Sequence, residues 1–344
     1  MNPIMTSLII SSLALGTIIT MSSHHWLLAW IGLELNTLAI IPLIAKQHHP
    51  RATEAATKYF LIQAAASATL LFASTTNAWY AGTWNITEFS YQPASIMLTM
   101  ALSMKLGLAP LHFWLPEVLQ GTTLKTALII ATWQKLAPLT LLYSTQHSLH
   151  PTTLLIMALL STIIGGWGGL NQTQTRKIMA FSSIAHLGWM AAVLTLAPNI
   201  LLLNLALYII MTTPMFLLLM RLSSKTIQNL TMSWMLSPMT TTFTLILLMS
   251  MAGLPPLSGF MPKWLILQEL TTHNLTPMAL MMALSTLLSL FFYLRLAYTT
   301  TLTIYPITLQ NEHKWRHQPK LKTPMITTTI ILSTLLLPIM PMLI

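Results

Sequence analysis

Charged side chains are too rare in this chain to cover the surface of a water-soluble protein. Only 6% of the 344 residues are Asp, Glu, Lys or Arg, whereas a soluble domain carries about 25%. Leu, Ile, Met, Ala and Thr form long continuous runs, without the period-two alternation that is typical of a membrane β-barrel. The sequence therefore predicts an all-α, polytopic membrane protein.

Eleven apolar segments divide the chain, and most are long enough to cross about 30 Å of hydrocarbon as a helix. They cover residues 3–22, 26–45, 52–75, 94–119, 123–145, 151–170, 175–197, 199–222, 238–272, 276–303 and 323–343. We expect about eleven transmembrane helices in a single transmembrane domain, residues 1–344.

The basic residues in the loops are confined to every second loop. Lys and Arg occur in the loops at 46–51, 120–125, 171–177, 221–237 and 304–322, and the intervening loops contain none. The positive-inside rule then places the N-terminus on the cytoplasmic-type side of the membrane, which is the matrix side in a mitochondrion. The net charge of +10 therefore indicates helix orientation and not nucleic-acid binding.

A short motif occurs twice, 146 residues apart. Gly107-Leu-Ala-Pro-Leu lies in the fourth segment, and Gly253-Leu-Pro-Pro-Leu lies in the ninth. Because five helices separate the two copies, the second is inverted relative to the first. We expect a first five-helix repeat at 1–145, a second, inverted repeat at 151–303 and a terminal helix at 323–343.

The prolines of the two motifs are predicted to break their helices. Pro110, Pro255 and Pro256 each remove a backbone donor and clash with the preceding turn. The freed carbonyl groups are tolerated only inside protein or beside a water-filled cavity. A packing kink would explain one such break, but two in matching positions favour an ion path.

Four ionisable residues lie deep in the predicted helices: Glu34, Lys105, Lys135 and Lys263. Each costs about 2.5–3.5 kcal/mol at a helix centre, so we interpret them as proton-translocating residues. Burial favours the neutral form of a lysine and a nearby carboxylate favours the charged form, which predicts a pair between Glu34 and Lys105. The alternative is that a lysine extends to the membrane interface, most of all Lys263 beside its helix break.

Two histidines, His112 and His186, are possible proton relays, because imidazole titrates near neutral pH. A buried, neutral histidine is an equally good interpretation of each. The chain has no Cys, which excludes thiolate-ligated iron–sulfur clusters and disulfides. We find no cofactor-binding motif and no metal-site pattern.

Two stretches resemble a known family. KLGLAPLHFWLPEVLQG, residues 105–121, and NQTQTRKIMAFSSIAHLGWM, residues 171–190, are similar to the signatures of antiporter-like membrane subunits of respiratory complex I, the proton-pumping NADH–ubiquinone oxidoreductase. With the MNPI start and the WIGLELN segment, the resemblance covers essentially the whole chain. It implies a core subunit of the membrane arm, encoded in the mitochondrion and located in the mitochondrial inner membrane, that pumps protons while quinone is reduced elsewhere in the complex.

The resemblance also implies roles for single residues. Glu34 and Lys105 match the family's charged pair at the channel entry, and Lys135 matches its central lysine. Lys263 matches the charged residue of the second broken helix, where the family often has an acidic residue, and this departure leaves the direction of its half-channel open. His112 and His186 fall at positions of the polar axis.

The implied partners are other complex I subunits, especially neighbouring antiporter-like subunits, and membrane lipids. FMN, iron–sulfur clusters and ubiquinone are then expected in those other subunits, with no cofactor in this chain. Two alternatives remain from the residues alone: a stand-alone secondary cation/proton antiporter and a structural scaffold.

Overall fold

A computed structural model describes residues 3–255, 257–302 and 324–338 of the chain. Its regular elements are helices, joined by short loops. The α-helices are α1 (Pro3–Ser22), α2 (Trp26–Ile44), α3 (Pro50–Ala81), α4 (Gln92–Leu106), α5 (Trp114–Gly121), α6 (Leu124–Ala131), α7 (Leu136–Ser144), α8 (Pro151–Gly169), α9 (Thr175–Val193), α10 (Pro198–Arg221), α11 (Ile227–Thr231), α12 (Ser233–Leu236), α13 (Pro238–Ala252), α14 (Phe260–Thr272), α15 (Thr276–Leu302) and α16 (Pro324–Leu335).

The helices confirm the all-α, polytopic prediction. In the described part of the chain, six unbroken helices are long and apolar enough to cross a membrane: α1, α2, α3, α8, α10 and α15. The fourth and ninth predicted segments each consist of two shorter helices, α4 with α5 and α13 with α14. The predicted terminal helix at 323–343 is described only in part, as α16.

Helix α9 lies at the centre of the bundle. Nearly all of its residues are buried, including the hydroxyl-bearing pair Ser182 and Ser183 and the imidazole of His186. Helix α1, by contrast, exposes large apolar side chains to the surroundings over most of its length. The protein thus has an apolar exterior and a polar stripe in its centre, the reverse of a soluble helical bundle.

Backbone contacts join loops that the charge pattern assigns to the same side. On the basic side, Thr175 N donates to Lys225 O at 3.2 Å, and Ile227 N donates to Thr173 O at 3.0 Å. On the other side, Trp26 N donates to Trp84 O at 3.1 Å. The structure therefore groups these loops as the positive-inside rule groups them.

The two broken helices have matching geometry. Helices α4 and α13 each contain 15 residues, and each ends on a left-handed glycine, Gly107 with φ 80° and Gly253 with φ 82°. Glycine adopts this conformation without the cost that a Cβ would add. Pro110 and Pro255 lie in the interruptions, as predicted, whereas Pro256 lies outside the described residues. The division into repeats at 1–145 and 151–303 stays a prediction.

A third interruption occurs in the fifth segment, where the sequence analysis placed none. Helix α6 ends at Ala131, a short 3₁₀ turn covers Trp133–Lys135, and α7 then begins. Pro138 explains the break, because a proline cannot donate to the carbonyl four residues earlier and its ring clashes there. The interruption places Lys135 on a turn at the middle of a segment.

Candidate functional site

Lys135 is buried at the third interruption and is held by a tyrosine from α10. Its side chain is 4% exposed, and its Nζ donates to the Tyr208 hydroxyl at 2.8 Å. The Tyr208 hydroxyl in turn donates to Ala131 O at 3.0 Å, which satisfies a carbonyl that the interruption leaves free. One tyrosine therefore stabilises both the irregular backbone and the buried cation.

Tyr208 also connects Lys135 to the central helix. The His186 ring on α9 lies with its centroid 5.5 Å from that of Tyr208. His186 is buried and lies within electrostatic range of both Lys263 and Lys135. The structure thus brings Lys135 and His186 together at Tyr208, which the sequence analysis did not identify, and Lys263 acts electrostatically on His186.

Lys263 lies in the first turn of α14 and points back to the second helix break. Its Nζ donates to Ala252 O, the last carbonyl of α13, at 2.7 Å. A cation at a helix C-terminus is favourable, because the free carbonyl groups there carry partial negative charge. The side chain therefore caps α13 across the second helix break.

Lys105 lies at the end of α4, just before the first helix break, and is 5% exposed. Its Nζ is buried and has no hydrogen-bond partner. Lys105 lines a cavity of about 20 Å³, together with Lys135, Asn36, Tyr59, Gln63 and Gln134. This volume is enough for about one water molecule, and the lining supplies polar partners for it. We refer to this space as the central cavity, and to Lys105, Lys135, Tyr208, His186 and Lys263 as the buried polar row.

Glu34 lies beside the row and acts on Lys105 without a direct ion pair in the described residues. It is half-buried on α2, and Thr37 Oγ1 donates to its carboxylate at 3.1 Å. Glu34 acts electrostatically on Lys105, yet the ion pairs within 4.0 Å in the described residues all lie elsewhere. The described residues therefore contain no direct Glu34–Lys105 ion pair, and the electrostatic pairing of the two residues stays a prediction.

The two predicted relay histidines have different surroundings. His112 lies in the first helix break, where its Nδ1 is 3.2 Å from Pro110 O and its ring packs against Phe113. These contacts belong to the turn and not to the row. Of the two, only His186 is placed among the buried lysines, and the relay role of either residue stays a prediction.

Several residues that the sequence analysis did not single out donate hydrogen bonds to free carbonyl groups at or near the ends of helices. The Trp114 indole donates to Met104 O at 3.1 Å across the first break. Arg295 donates to Leu170 O, beyond the end of α8, at 2.6 Å, and Arg176 donates to Thr122 O, beyond the end of α5. Only Tyr208 had a usable signal, a hydroxyl in the middle of the apolar run LNLALYIIM.

The two left-handed glycines provide a matched pair for testing Lys263. A methyl group on Gly107 would meet Trp114 at 3.4 Å, an ordinary contact, whereas on Gly253 it would lie 2.8 Å from Lys263 Nζ. Both changes add backbone strain of about 1–2 kcal/mol. We expect Gly253→Ala to slow pumping more than Gly107→Ala, measured as proton translocation per electron in the assembled complex. Equal effects of the two substitutions would show that the Lys263 cap does not contribute to proton translocation.

Comparison with known proteins places the chain among subunits of one respiratory complex. A family model described as NADH:quinone oxidoreductase/Mrp antiporter, TM, matches residues 23–289, and one described as NADH dehydrogenase subunit 2 C-terminus matches residues 290–344. NADH-ubiquinone oxidoreductase chain 2 of Varanus timorensis is 59% identical over the full length of both chains. The chain 2 of Latimeria chalumnae is 57% identical, over 99% of this chain and 98% of its own length.

The fold also matches a solved structure. A chain in the structure of respiratory complex I from Thermus thermophilus with bound aureothin superposes with a TM-score of 0.87 at 26% identity. The match covers all of this chain and 79% of that chain.

Proposed function

Because the chain belongs to the family of NADH–ubiquinone oxidoreductase chain 2, we propose that it conducts protons through the buried polar row. It is a membrane-arm subunit of the proton-pumping NADH:ubiquinone oxidoreductase and associates with the other subunits of that complex. Quinone reduction elsewhere in the complex changes the protonation of Lys105, Lys135 and Lys263 through electrostatic coupling along the membrane. Glu34 acts at the entry of this path.

The contact between Lys135 and Tyr208 carries the proposal. A buried ammonium costs several kcal/mol unless it is paired or used, and here it is held by a neutral hydroxyl and not by a carboxylate. The 2.8 Å contact, the neighbouring His186 ring and the central cavity give a proton a short polar route between the two helix breaks. A scaffold would have no need for a row of buried lysines without a directly paired carboxylate in the described residues.

The location and the remaining roles follow from the same proposal. The protein lies in the mitochondrial inner membrane with its N-terminus on the matrix side, since the basic loops mark that side. FMN, the iron–sulfur clusters and ubiquinone are bound by other subunits. The chain contains two inverted repeats, 1–145 and 151–303, each with one broken helix, and His112 and His186 are relays next to the breaks.

Lys105→Met is the experiment that tests the proposed function. Because Lys105 Nζ has no hydrogen-bond partner, its removal leaves no unsatisfied group, and methionine fills a similar volume. We expect the complex to assemble and to reduce quinone more slowly, with fewer protons translocated per electron pair. The measurement is proton translocation against NADH oxidation in vesicles that contain the assembled complex.

Lys125→Met is the matched control, because Lys125 is exposed at the start of α6 and lies on the basic side. This variant should pump as the unmodified complex does. If Lys105→Met also pumps with full stoichiometry, the proton-path assignment is wrong and the scaffold function is favoured. Ion exchange by the isolated chain in vesicles would instead favour the stand-alone antiporter.

A further inference from the structure

A cavity of about 330 Å³ lies between α10, α13 and α16 on the basic-loop side of the protein. Its volume falls within the range of about 300–1,000 Å³ that is typical of ligand sites. The lining includes Arg221 at the end of α10, Ser237, Thr240 and Phe243 at the start of α13, and Ile330 on α16. We call this space the three-helix cavity. It shares no lining residue with the central cavity, so it is separate from the buried polar row.

The polar lining of the three-helix cavity lies at its rim, and the apolar lining lies deeper. Arg221 ends α10 and Ser237 directly precedes α13, so both lie at the basic-side ends of these helices. Phe243 and Ile330 lie inside α13 and α16, about 8–9 Å from the starts of these helices at 1.5 Å per residue. The cavity is therefore polar at the membrane interface and apolar toward the hydrocarbon layer.

Arg221 supplies a positive charge that no carboxylate neutralises within the described residues. The ion pairs within 4.0 Å in that part of the chain belong to Lys58 and His273. Arg221 is exposed, so its guanidinium can reach a ligand at the rim of the cavity that it lines. The planar fork of N–H donors on a guanidinium fits the oxygens of a phosphate group bidentately.

The two parts of the lining together favour one kind of occupant. A soluble anion would use Arg221 but would leave the apolar lining below it in contact with water. An apolar helix of another subunit would cover Phe243 and Ile330 but would bury an unpaired cation, which costs several kcal/mol. A phospholipid fits both parts, because its phosphate and its acyl chains lie at these two depths. Basic pockets between transmembrane helices on this side of a membrane bind acidic headgroups for the same reason.

A second cavity of similar size has no such rim. It has a volume of about 340 Å³, lies between α3 and α4, and its lining includes Phe72, Met97 and Met100. Among the described residues, none that lines it is charged. An acyl chain can occupy this space, but no side chain there selects a headgroup. We call it the apolar groove, and it provides an internal control.

We propose that the three-helix cavity binds an acidic phospholipid from the leaflet on the basic-loop side. Its phosphate contacts Arg221, and one acyl chain lies along Phe243 and Ile330. The lipid then joins α16 to α10 and α13 at the basic-side ends of these helices. Because this binding involves no proton transfer, its test is independent of the proposed function.

Photo-crosslinking with lipid analogues tests the site in the assembled complex. The probes are phosphatidylglycerol and phosphatidylcholine, each with a diazirine on one acyl chain, added in equal amounts to separate phosphatidylcholine vesicles that contain the complex. Cross-linked peptides from α13 and α16 report on the three-helix cavity, and those from α4 report on the apolar groove. We expect phosphatidylglycerol to label α13 and α16 at least about fivefold more than phosphatidylcholine, the preference that one arginine near an acidic headgroup gives. The two probes should label α4 equally.

Arg221→Gln should abolish the preference for phosphatidylglycerol at α13 and α16. Lys225→Gln is the matched control, because Lys225 is exposed in the loop that follows α10 but does not line the cavity. It removes the same charge from the same side and should leave the preference unchanged. If Arg221→Gln prevents assembly, Met239→Glu at an exposed position of the rim should abolish the preference by repelling the phosphate.

Four results would overturn the inference. Equal labelling of α13 and α16 by the two probes would show that the cavity does not select an acidic lipid. Labelling of α4 alone would show that another subunit covers the cavity. Loss of the preference with inorganic phosphate, but not with sodium chloride of the same ionic strength, would show that the site takes a soluble anion. Equal loss in Lys225→Gln and Arg221→Gln would show that only the general charge of the loop matters.

Discussion

Lys135→Met is expected to stop proton translocation through this chain while the complex still assembles. Lys135 is the member of the buried polar row that touches both the central cavity and Tyr208. Methionine removes the amine that connects the cavity to Tyr208 and the His186 side. The expected loss is at least about 100-fold in the rate through this chain, which corresponds to a barrier increase of about 2.7 kcal/mol.

The fold should survive this change for a specific reason. After the substitution, the Tyr208 hydroxyl still donates to Ala131 O, so no buried donor loses its partner. The methionine also avoids the cost of burying an ammonium, which offsets the lost contact of Lys135 with the Tyr208 ring, 4.4 Å from its Nζ. Assembly, measured by native gel electrophoresis, should therefore remain close to that of the unmodified complex.

The measurement is the ratio of protons translocated to NADH oxidised, with Lys125→Met as the exposed control. Lys135→Arg separates charge from proton exchange, because arginine keeps the positive charge but does not release its proton. We expect Lys135→Arg to assemble and to pump no better than Lys135→Met. Full stoichiometry in either Lys135 variant would remove this residue from the path.

The sequence predicts where the two proline-containing helix breaks lie but not which side chains contact them. The offset of 146 residues correctly pairs the ends of α4 and α13, because the left-handed glycine and the prolines are local signals. The same offset pairs Glu117 with Lys263, yet Glu117 is exposed and forms an ion pair with Lys58, whereas Lys263 caps α13. Side-chain direction depends on the packing of neighbouring helices, which the repeat does not encode.

The buried polar row was likewise predicted only in part from the sequence. Charges deep in apolar segments identified Lys105, Lys135 and Lys263, because the cost of burial is visible in a single sequence. Tyr208 was missed, since a single hydroxyl in an apolar run costs little and is a much weaker signal than a charge. The pairing of Glu34 with Lys105 was predicted from charge alone, which indicates proximity and not geometry: Glu34 acts electrostatically on Lys105, and Thr37 donates a hydrogen bond to its carboxylate.

Gly259 is the position where the smallest substitution should have the largest structural effect. It precedes α14 with an ordinary backbone conformation, φ −68°, so conformational freedom is not the reason for a glycine. The reason is space: a Cβ at this position would lie 1.7 Å from Ser250 O. That oxygen is backbone in the last turn of α13 and has no rotamer by which to move away.

The displaced carbonyl is part of the second helix break. Ser250 O accepts a hydrogen bond from Gly253 N at 3.0 Å, and this bond helps to end α13 at its left-handed glycine. Separating Gly259 from Ser250 would shift Gly253, and with it Ala252, the acceptor of the Lys263 cap. The first break has Phe113 at the equivalent position, where a large side chain is accommodated and exposed, so the requirement for glycine is specific to the second break.

We therefore expect Gly259→Ala to destabilise the chain by more than about 4 kcal/mol and to prevent accumulation of the assembled complex. Gly82→Ala is the control, because Gly82 has φ 71° but nothing within 4 Å of an added Cβ, so only strain of about 1–2 kcal/mol applies. Native gel electrophoresis and thermal inactivation of NADH oxidation measure both variants. If Gly259→Ala assembled as well as Gly82→Ala, the close crossing of α13 and α14 would not be required, and the Lys263 cap could not depend on it.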